Sequence, residues 1–420
     1  MKKYKTYEKC NECQQDNTGE NWCNVCNRRR FQMEFDKWTS GNSEIDQFIQ
    51  QTQFNANNSE EVIEWIPFNR FDKVEFLTKG GFGGVYKAKW RDGYIKLWNL
   101  KLKTWHRMSY PYVYVGLKGL DTPDQKLFLQ EIKNQLKFRG GWAIAIYGIT
   151  FHPKENKYMM VMQYANHGSL RNMLNNNFGD LTWINKINIL HYVIVGLAKI
   201  HEFGLMHTDL HSGNIVCQDI VKSYITDFGL CKPVSEYNRE KIYGVIPFMA
   251  PETFIRDEYS QKSDIYSFGM IMLEVFTSYP PYYNIPHDEN LIMDICYYGR
   301  KPEIKCEIPQ LLKDLMEKCW DTNPLKRPTA KKLEIQLRKY LEVDYSRHRL
   351  KKQIEAIDKA NINFTQYDPK ITPPKAIRSS SQLPSQATHS SSQLPVQTIV
   401  EPYSHDLRLK IPEEYENPEN

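Results

Sequence analysis

Long apolar runs are absent from this 420-residue sequence, because nowhere do about 18 consecutive apolar residues occur, the length a membrane-spanning helix needs. A surplus of charge is absent too: the net charge is only +5, which by itself gives no argument for DNA or a membrane as a partner. The opening residues, MKKYKTYEKC, lack the apolar stretch of a secretory signal. We therefore expect a cytoplasmic or nuclear location, where the nine cysteines would stay reduced.

Composition divides the chain into five segments. They are a polar segment 1–30 with four cysteines, a connector 31–70, a core 71–343, a basic helix 344–361 and a tail 362–420. The core holds nearly all the apolar periodicity and is long enough for one large domain. The tail is rich in serine, proline and glutamine and has too few apolar residues to offset the entropy of ordering it, so we predict disorder.

Two helices are predicted outside the core. In the connector, Ser43 is the expected N-cap, and Ile45, Phe48 and Ile49 follow at a spacing that places them on one helix face. The basic stretch SRHRLKKQIEAIDKAN is predicted to form a helix with a solvated face.

The core changes character along its length. Apolar and polar residues alternate around a glycine cluster in 71–90, which predicts paired strands joined by a turn. YVYVGLK predicts a further strand after a tryptophan-rich insertion at 91–111, and a helix is expected around 124–137. From Trp183 to His201, three- and four-residue apolar spacing predicts a long helix. A strand-rich front and a helix-rich back predict an α+β fold of two lobes with a cleft between them.

Residues suited to binding phosphate recur through this core. The backbone amides of the cluster Gly80–Gly84 can donate to a polyphosphate, although a flexible turn is the alternative interpretation. Lys118 lies near the end of an apolar strand, where an ammonium is costly unless it meets an anion such as Glu131 on the following helix. Asn214 and Asp227 offer the hard oxygen ligands that Mg²⁺ prefers.

Taken in order, these motifs resemble the eukaryotic protein kinase superfamily over residues 71–343. The matching strings are the glycine loop ending in Gly83-x-Val85, HTDLHSGN at 207–214, DFG at 227–229, APE at 250–252, SDIYSFG at 263–269 and CWDTNPLKRP at 319–328. The last two are most similar to the tyrosine-kinase-like group. The resemblance implies the two-lobed kinase fold, in which Asp264 anchors the catalytic loop and Arg327 pairs with Glu252.

The resemblance also implies a role for each site residue. Asp209 would orient a substrate hydroxyl and accept its proton, and Asn214 with Asp227 would hold Mg²⁺ or Mn²⁺. Lys118 would hold the ATP phosphates, which completes a catalytic set of Asp209, Lys118, Asn214 and Asp227. Met162 would be the gatekeeper at the adenine pocket. The implied ATP-binding residues are Thr78, Gly80, Gly81, Phe82, Gly83, Val85, Gly116, Lys118, Glu131, Met162, Gln163, Tyr164 and Ala165.

Three departures from the family pattern concern nucleotide grip and activation. Thr78 stands where the first loop glycine is usual, which predicts weaker ATP binding. Gly116 replaces an alanine over the adenine, a loss of one methyl group worth about 0.8 kcal/mol. Thr208 replaces the arginine that meets a phosphorylated activation segment, so that mode of switching should be lost although the segment still offers Ser235, Tyr237 and Tyr243.

Further departures concern the catalytic loop and the helix that carries Glu131. His211 stands where serine/threonine kinases place a lysine, and Val245 replaces its usual threonine partner. Gly244 is kept in the serine/threonine manner, which favours that specificity. Gln135 occupies an apolar position of the family and is expected either to loosen the helix or to find a hydrogen-bond partner.

The departures leave two functions to weigh. The first is a protein kinase that transfers the γ-phosphate of ATP to a protein hydroxyl. The second is an inactive ATP-binding adaptor that acts through its terminal segments. Lys118, Asp209 and Asp227 are all present, and inactive members of the superfamily commonly lack one of them, so the enzyme is favoured.

Four cysteines near the N-terminus have the spacing of a structural zinc site. Cys10 and Cys13 form one CxxC pair and Cys23 and Cys26 another, which supplies four thiolates for tetrahedral Zn²⁺. Unliganded reduced cysteines are the alternative. Such a short polar segment would depend on the metal for its folding energy. Asn17 and Trp22 between the two pairs loosely resemble small zinc ribbons that bind ubiquitin or RNA, a function that is not carried over to this chain. A protein or an RNA partner of the cysteine segment is left open.

Overall fold

The computed structural model describes residues 7–80, 83–109, 112–119, 125–138, 143–233, 244–256, 258–342 and 345–371. Gly81 and Phe82, the three candidate phosphorylation residues of the activation segment, and the predicted disordered tail from residue 372 onward lie outside these ranges. Among the helices in the described ranges, none is both long and apolar enough to cross a bilayer.

The N-terminal lobe is built around a six-stranded sheet. Its helices are α1 (Asn24–Gln32), α2 (Ser43–Asn55) and α3 (Gln125–Leu136). Its strands are β1 (Glu64–Trp65), β2 (Phe71–Gly80), β3 (Gly83–Trp90), β4 (Tyr94–Asn99), β5 (Thr104–Met108), β6 (Val113–Gly119), β7 (Ile146–His152) and β8 (Lys157–Gln163). The sheet order is β1-β7-β8-β6-β3-β2, parallel only at β1–β7, and β4 pairs with β5 as a separate hairpin.

The C-terminal lobe is mainly helical. Its helices are α4 (Leu170–Asn177), α5 (Trp183–Glu202), α6 (Pro251–Ile255), α7 (Gln261–Thr277), α8 (Glu289–Tyr297), α9 (Gln310–Cys319), α10 (Ala330–Leu341) and α11 (Tyr345–Ala360). Its short strands are β9 (Leu205–Met206), β10 (Ile215–Cys217), β11 (Ser223–Ile225) and β12 (Lys232–Pro233). Helix α7 is buried along nearly its whole length and forms the centre of this lobe.

The predicted two-lobed α+β fold is confirmed, including the paired strands β2 and β3 and the long helix that begins at Trp183. The predicted N-cap of α2 is wrong by one residue. The side chain of Asn42, not Ser43, accepts hydrogen bonds from the backbone N–H groups of Glu44 and Ile45. Ser43 is instead the first helical residue, because the asparagine before it already satisfies the free amides of the first turn.

The segment predicted as a connector packs closely on the N-terminal lobe. The apolar face of α2, formed by Ile45, Phe48 and Ile49, is buried in one cluster with residues of α3 and β7. Strand β1 extends the main sheet by pairing with β7. Arg107 of β5 forms an ion pair with Glu64 of β1 and so ties the β4–β5 hairpin to the sheet. Segment 31–70 therefore forms part of the lobe.

The tryptophan-rich insertion forms the β4–β5 hairpin, and the N-terminal segment packs on it. Trp22 and Phe31 are buried, and both rings stack on Trp105 of β5, with centroid distances of 5.8 and 4.6 Å. Ala56, Val62 and Ile95 are also buried in this cluster. The cysteine segment thus shares a core with the kinase-like part of the chain.

At the C-terminus, helix α11 is only partly solvated, because Leu350 is fully buried and Ile354 and Ile357 pack against the core of the lobe. The predicted disorder is wrong for residues 362–371, which lie against the lobe. The Tyr367 ring is buried beside Tyr279, and its backbone N–H donates to the Ser278 hydroxyl at 2.7 Å. Composition concealed this contact because the aromatic residues of 361–371 were averaged with the polar residues that follow.

Candidate active site

A short hairpin brings the two predicted metal-binding residues together. Asn214 immediately precedes β10 and Asp227 follows β11 by two residues, and these two strands pair in antiparallel fashion. The backbone N–H of Thr226 donates to the Asn214 carbonyl at 2.9 Å. A turn of five residues between the strands is therefore enough to place an amide and a carboxylate side by side.

Asp264 of α7 holds the backbone of the catalytic loop, residues 207–214, in place. Its carboxylate accepts hydrogen bonds from the backbone N–H groups of His207 at 2.9 Å and Thr208 at 3.0 Å, and it lies 2.9 Å from His201 Nε2. Asp264 is buried, so these contacts offset the cost of removing its charge from water. The predicted anchoring role of Asp264 is confirmed.

Asp209 is held by the loop that follows it. The Asn214 side-chain N–H donates to both the carbonyl and the carboxylate of Asp209 at 3.0 Å, and His211 Nε2 lies 3.7 Å from the same carboxylate. His211 Nδ1 accepts a hydrogen bond from the Gly213 backbone N–H at 3.1 Å. Because Nδ1 is an acceptor, Nε2 is the ring nitrogen that carries a proton, and it is directed at Asp209.

The charge of Asp209 is stabilised by these neighbours. Burial alone would raise its pKa, but the neighbouring His211 imidazole and the hydrogen bond from Asn214 lower the pKa below its ordinary value. Asp209 is therefore ionised at neutral pH, which is the state a proton acceptor requires.

Lys118 joins the two lobes through two carboxylates. Its ammonium lies 2.9 Å from Glu131 of α3 and 3.1 Å from Asp227. Burial would lower the pKa of Lys118, but the charges of Asp227 and Glu131 outweigh it and raise this pKa. Burial also raises the pKa of Glu131, an effect that the lysine charge only partly offsets. The predicted pairing of Lys118 with Glu131 is present.

One oxygen of this group is suited to a cation. Asp227 Oδ1 is buried and accepts no hydrogen bond from the residues that the structure describes. A carboxylate oxygen buried in this way is costly unless a positive ion meets it. With the amide of Asn214 on the adjacent strand end, the donor set is the hard oxygen chemistry that Mg²⁺ prefers.

The residues implied for ATP lie on neighbouring strands. Val85 of β3 pairs with Lys118 of β6, and Thr78 of β2 pairs with Val85 from the other side. Gly80 and Gly83 pair at the ends of the β2–β3 hairpin. Gly116 pairs with Met162, which is buried in one apolar cluster with Ala165 and with Tyr224 and Val216 of the C-terminal lobe. Gln163 and Tyr164 connect Met162 to Ala165. The strand register thus places Thr78, Val85, Lys118, Gly116 and Met162 on neighbouring strands of one sheet.

Comparison with family models shows which protein family this chain belongs to. A family model described as protein tyrosine and serine/threonine kinase matches residues 71–337, more than half of the chain. The chain belongs to this family.

Curated kinases resemble this chain over the same region. The chain is 29% identical over 293 residues to the probable serine/threonine-protein kinase gdt2 of Dictyostelium discoideum, an alignment covering 67% of this chain and 16% of that protein. It is 27% identical over 276 residues to stress-activated protein kinase alpha of the same organism, with coverages of 62% and 40%. It is 26% identical over 280 residues to tyrosine-protein kinase SPK-1 of Girardia tigrina, with coverages of 63% and 52%. The chain spans well under two thirds of these relatives.

A second ion pair of this kinase domain matches its prediction. Arg327 is fully buried and forms two hydrogen bonds with Glu252, at 2.6 and 2.8 Å. Its guanidinium also donates to the carbonyls of Asp321 and Lys262. The predicted pair is confirmed, and it fixes the end of the activation segment against the C-terminal lobe.

Helix α3 contacts the DFG residues through a side chain that the sequence reasoning missed. The Asn134 amide donates to the carbonyls of Phe228 and Cys231, both at 3.3 Å. The Phe228 ring stacks on Phe138, with centroids 5.1 Å apart. Gln135 donates to the Ile144 carbonyl at 3.0 Å, so the second of its two expected outcomes is the one observed. The only signal for Asn134 was its position, three residues after Glu131 on the same helix.

The four N-terminal cysteines converge on one point. Their sulfur atoms all lie within 4.8 Å of one another, with Cys10 and Cys26 3.8 Å apart and Cys13 and Cys23 3.6 Å apart. A tetrahedron of thiolates about 2.3 Å from zinc has edges of about 3.8 Å, so the cluster fits structural Zn²⁺. Trp22 between the two pairs is fully buried and donates from Nε1 to the Ala56 carbonyl, so it contacts this chain itself.

Proposed function

We propose that this chain is a protein kinase that transfers the γ-phosphate of ATP to a serine or threonine hydroxyl of a protein. The observation that carries the proposal is the position of Lys118, whose ammonium lies 2.9 Å from Glu131 and 3.1 Å from Asp227. This arrangement links the α3 helix, the sheet and the DFG turn, and protein kinases require those parts to be assembled together.

The chain's own residues supply positioning and charge. Lys118, held by Glu131, would bind the α- and β-phosphates, and the backbone amides of the β2–β3 hairpin would donate to the phosphate chain. Asp209, ionised and oriented by Asn214 and His211, would accept the proton of the substrate hydroxyl. Asn214 and the free oxygen of Asp227 would hold Mg²⁺, which when bound neutralises charge on the transferred phosphate.

The specificity for serine or threonine is a finer part of the proposal. Gly244 before Val245 follows the serine/threonine pattern, and one of the three relatives described is named a probable serine/threonine-protein kinase. A tyrosine-protein kinase is among them as well, so acid hydrolysis of the labelled product decides the point. We also propose membership of the tyrosine-kinase-like group, on the wording of its DIYSFG and CWDTNPLKRP motifs.

Two further parts concern metal and location. The distances between sulfur atoms support a structural Zn²⁺ site formed by Cys10, Cys13, Cys23 and Cys26. Metal analysis of the purified protein should then find one zinc ion per chain. None of the nine cysteines, all of which lie in the described ranges, forms a disulfide, which supports our proposal of a reducing compartment, the cytoplasm or nucleus.

The test is transfer of labelled γ-phosphate from Mg-ATP to a generic protein substrate. Asp209→Asn keeps the hydrogen bonds of the loop but removes the proton acceptor, so it should lose nearly all transfer while ATP binding is retained. Kinase turnover is on the order of 1–100 per second, so a weak enzyme stands clear of this variant. If the wild type incorporates no more label than Asp209→Asn yet still binds ATP, the adaptor is favoured instead.

A further inference from the structure

The cysteine cluster is continuous with helix α1. Cys23 is the residue that precedes α1 and Cys26 lies in its first turn. The other two cysteines come from the preceding loop and meet them at 3.6 and 3.8 Å. The position of α1 is therefore set by whatever holds the four sulfur atoms together.

Helix α1 in turn closes the C-terminal end of α2. The Asn24 amide donates to the carbonyls of Phe54 at 3.2 Å and Ala56 at 2.8 Å, and Arg28 Nε donates to Phe54 at 3.1 Å. Trp22 Nε1 donates to Ala56 at 3.0 Å. Carbonyls at a helix end lack partners within the helix, so these side chains give α2 its C-terminal cap.

Helix α2 lies directly on α3, which carries Glu131. Ile45 and Ile49 are fully buried, in one cluster with Phe128 and Ile132 of α3. At the other end of the contact, the Asn42 amide donates to Gln125 at 2.8 Å. Ile132 and Glu131 are adjacent in α3, so a shift of α3 away from α2 also moves the carboxylate that holds Lys118.

We propose that metal binding at the four cysteines sets the position of α3 through α1 and α2, which makes the N-terminal segment a metal-dependent control of phosphate transfer. The metal expected from the thiolate chemistry is Zn²⁺. The residues of α2 that face α3 are then positioning residues for Glu131. The proposal rests on the proposed kinase function only for its effect on activity; the coupling of the metal to α3 stands on the contacts alone.

The experiment uses the full chain with four single substitutions. Cys13→Ser removes one ligand. Phe48→Ala weakens the α2–α3 contact while leaving every cysteine in place, because Phe48 lies in the same cluster and its ring is next to Lys133 of α3. Gln47→Ala, on the exposed side of α2, controls for substitution in that helix. Cys306→Ser controls for loss of a thiol, because a serine hydroxyl can replace its contact with the Phe276 carbonyl. Three quantities are measured. The first is the number of zinc ions bound per chain, and the second is the rate of amide hydrogen exchange in residues 125–136 compared with the rate in β6 and β8. The third is the steady-state kinetics, with KM for ATP and kcat determined separately.

Cys13→Ser should lose zinc, accelerate exchange in α3 but not in the sheet, and lower kcat/KM by about tenfold, within the usual range of coupling between sites. Phe48→Ala should retain zinc yet show the same loosening of α3, and the two controls should match the wild type. Treatment of the wild type with a chelator should also accelerate exchange in α3 and lower kcat/KM, and adding zinc back should restore both. This measurement tests the proposal even if Cys13→Ser does not fold.

Loss of zinc without any change in α3 exchange would overturn the proposal, as would normal α3 protection in Phe48→Ala. A wild type that transfers no phosphate but whose α3 still responds to zinc would reject the kinase function and leave the coupling standing. A wild type that transfers phosphate equally with and without zinc would reject the proposed regulation by the metal and leave the kinase function standing.

Discussion

The hydroxyl of Thr208 donates to the carbonyl of Leu230 at 2.9 Å, which joins the catalytic loop directly to the chain that follows the DFG residues. Thr208 has a φ of 67°, in the left-handed region, which is unusual for a β-branched residue and costs about 1–3 kcal/mol. The bonds of its hydroxyl to Leu230 and of its N–H to Asp264 hold it in this conformation. A neutral contact here takes the place of the arginine that other family members direct at a phosphate.

Thr208→Val should therefore lower kcat by about fivefold, because one buried hydrogen bond is worth about 1 kcal/mol and valine keeps the same shape. Thr208→Ser retains the hydroxyl and should stay close to the wild type in steady-state kinetics. A valine variant as active as the serine variant would show that the Thr208–Leu230 hydrogen bond does not support turnover.

Wild-type activity should also survive phosphatase treatment, since no arginine is present at position 208 to bind a phosphate.

A change of pH should expose the effect of His211 on Asp209. The neighbouring His211 imidazole lowers the pKa of Asp209 against the effect of burial, so His211→Ala should raise that pKa. The acid limb of kcat/KM should then move to higher pH, because the proton acceptor becomes protonated earlier as the pH falls.

Gly213→Ala is the matched variant for His211. A Cβ at Gly213 would lie 2.7 Å from His211 Cε1, so the imidazole must move although it is still present. The acid limb should shift in the same direction and by less. An unchanged acid limb in His211→Ala would show that His211 has no part in setting the ionisation of Asp209.

Two glycines of the main sheet should respond in opposite ways to alanine. A Cβ at Gly116 would meet Met162 Cγ at 3.7 Å, an ordinary contact, whereas one at Gly148 would lie 2.2 Å from the Glu64 carbonyl oxygen. Gly116→Ala should raise the free energy of unfolding by about 0.4–1 kcal/mol through reduced chain entropy. Gly148→Ala should destabilise the protein by forcing β1 away from β7. Denaturant melts of both variants give the comparison.

Asn134 should matter for turnover because it joins α3 to the DFG residues. Asn134→Leu removes the side-chain donor from the Cys231 carbonyl and leaves the Phe228 carbonyl with only the backbone N–H of Cys231, at a cost of about 1–3 kcal/mol. We therefore expect kcat to fall by at least fivefold. Gln130→Ala removes only an exposed donor to Asn134 and should be nearly neutral. Equal kcat values for the two variants would show that the contact does not support catalysis.

Motif spacing predicted the parts of the fold and site that protein kinases share. Lys118 and Glu131 meet, and Asp264 holds the catalytic loop, because each lies in a string whose residue types and order are characteristic. The ATP-binding roles of the glycine loop and the hinge stay predictions, as do the metal-binding roles of Asn214 and Asp227. Gln135 illustrates an intermediate case, in which the sequence posed two outcomes and only the position of the Ile144 carbonyl decided between them.

Contacts between distant segments were not predictable. Trp22 and Trp105 are far apart in the chain and belong to segments of different composition, so no local pattern connects them. The packing of α2 on α3 depends on two apolar helix faces, each of which predicts burial without identifying its partner. Residues 362–371 were missed for a related reason, since a few aromatic side chains are enough to order a short polar segment when a matching surface is present.

That short C-terminal stretch also sets the smallest piece of the chain that is safe to produce by itself. The ring of Phe364 contacts Phe178 and Tyr279, and Tyr367 contacts Tyr279 and Tyr283. A fragment ending with the family match at residue 337 would place this aromatic surface in water, where it favours aggregation. A recombinant kinase domain should therefore be ended no earlier than Ile371.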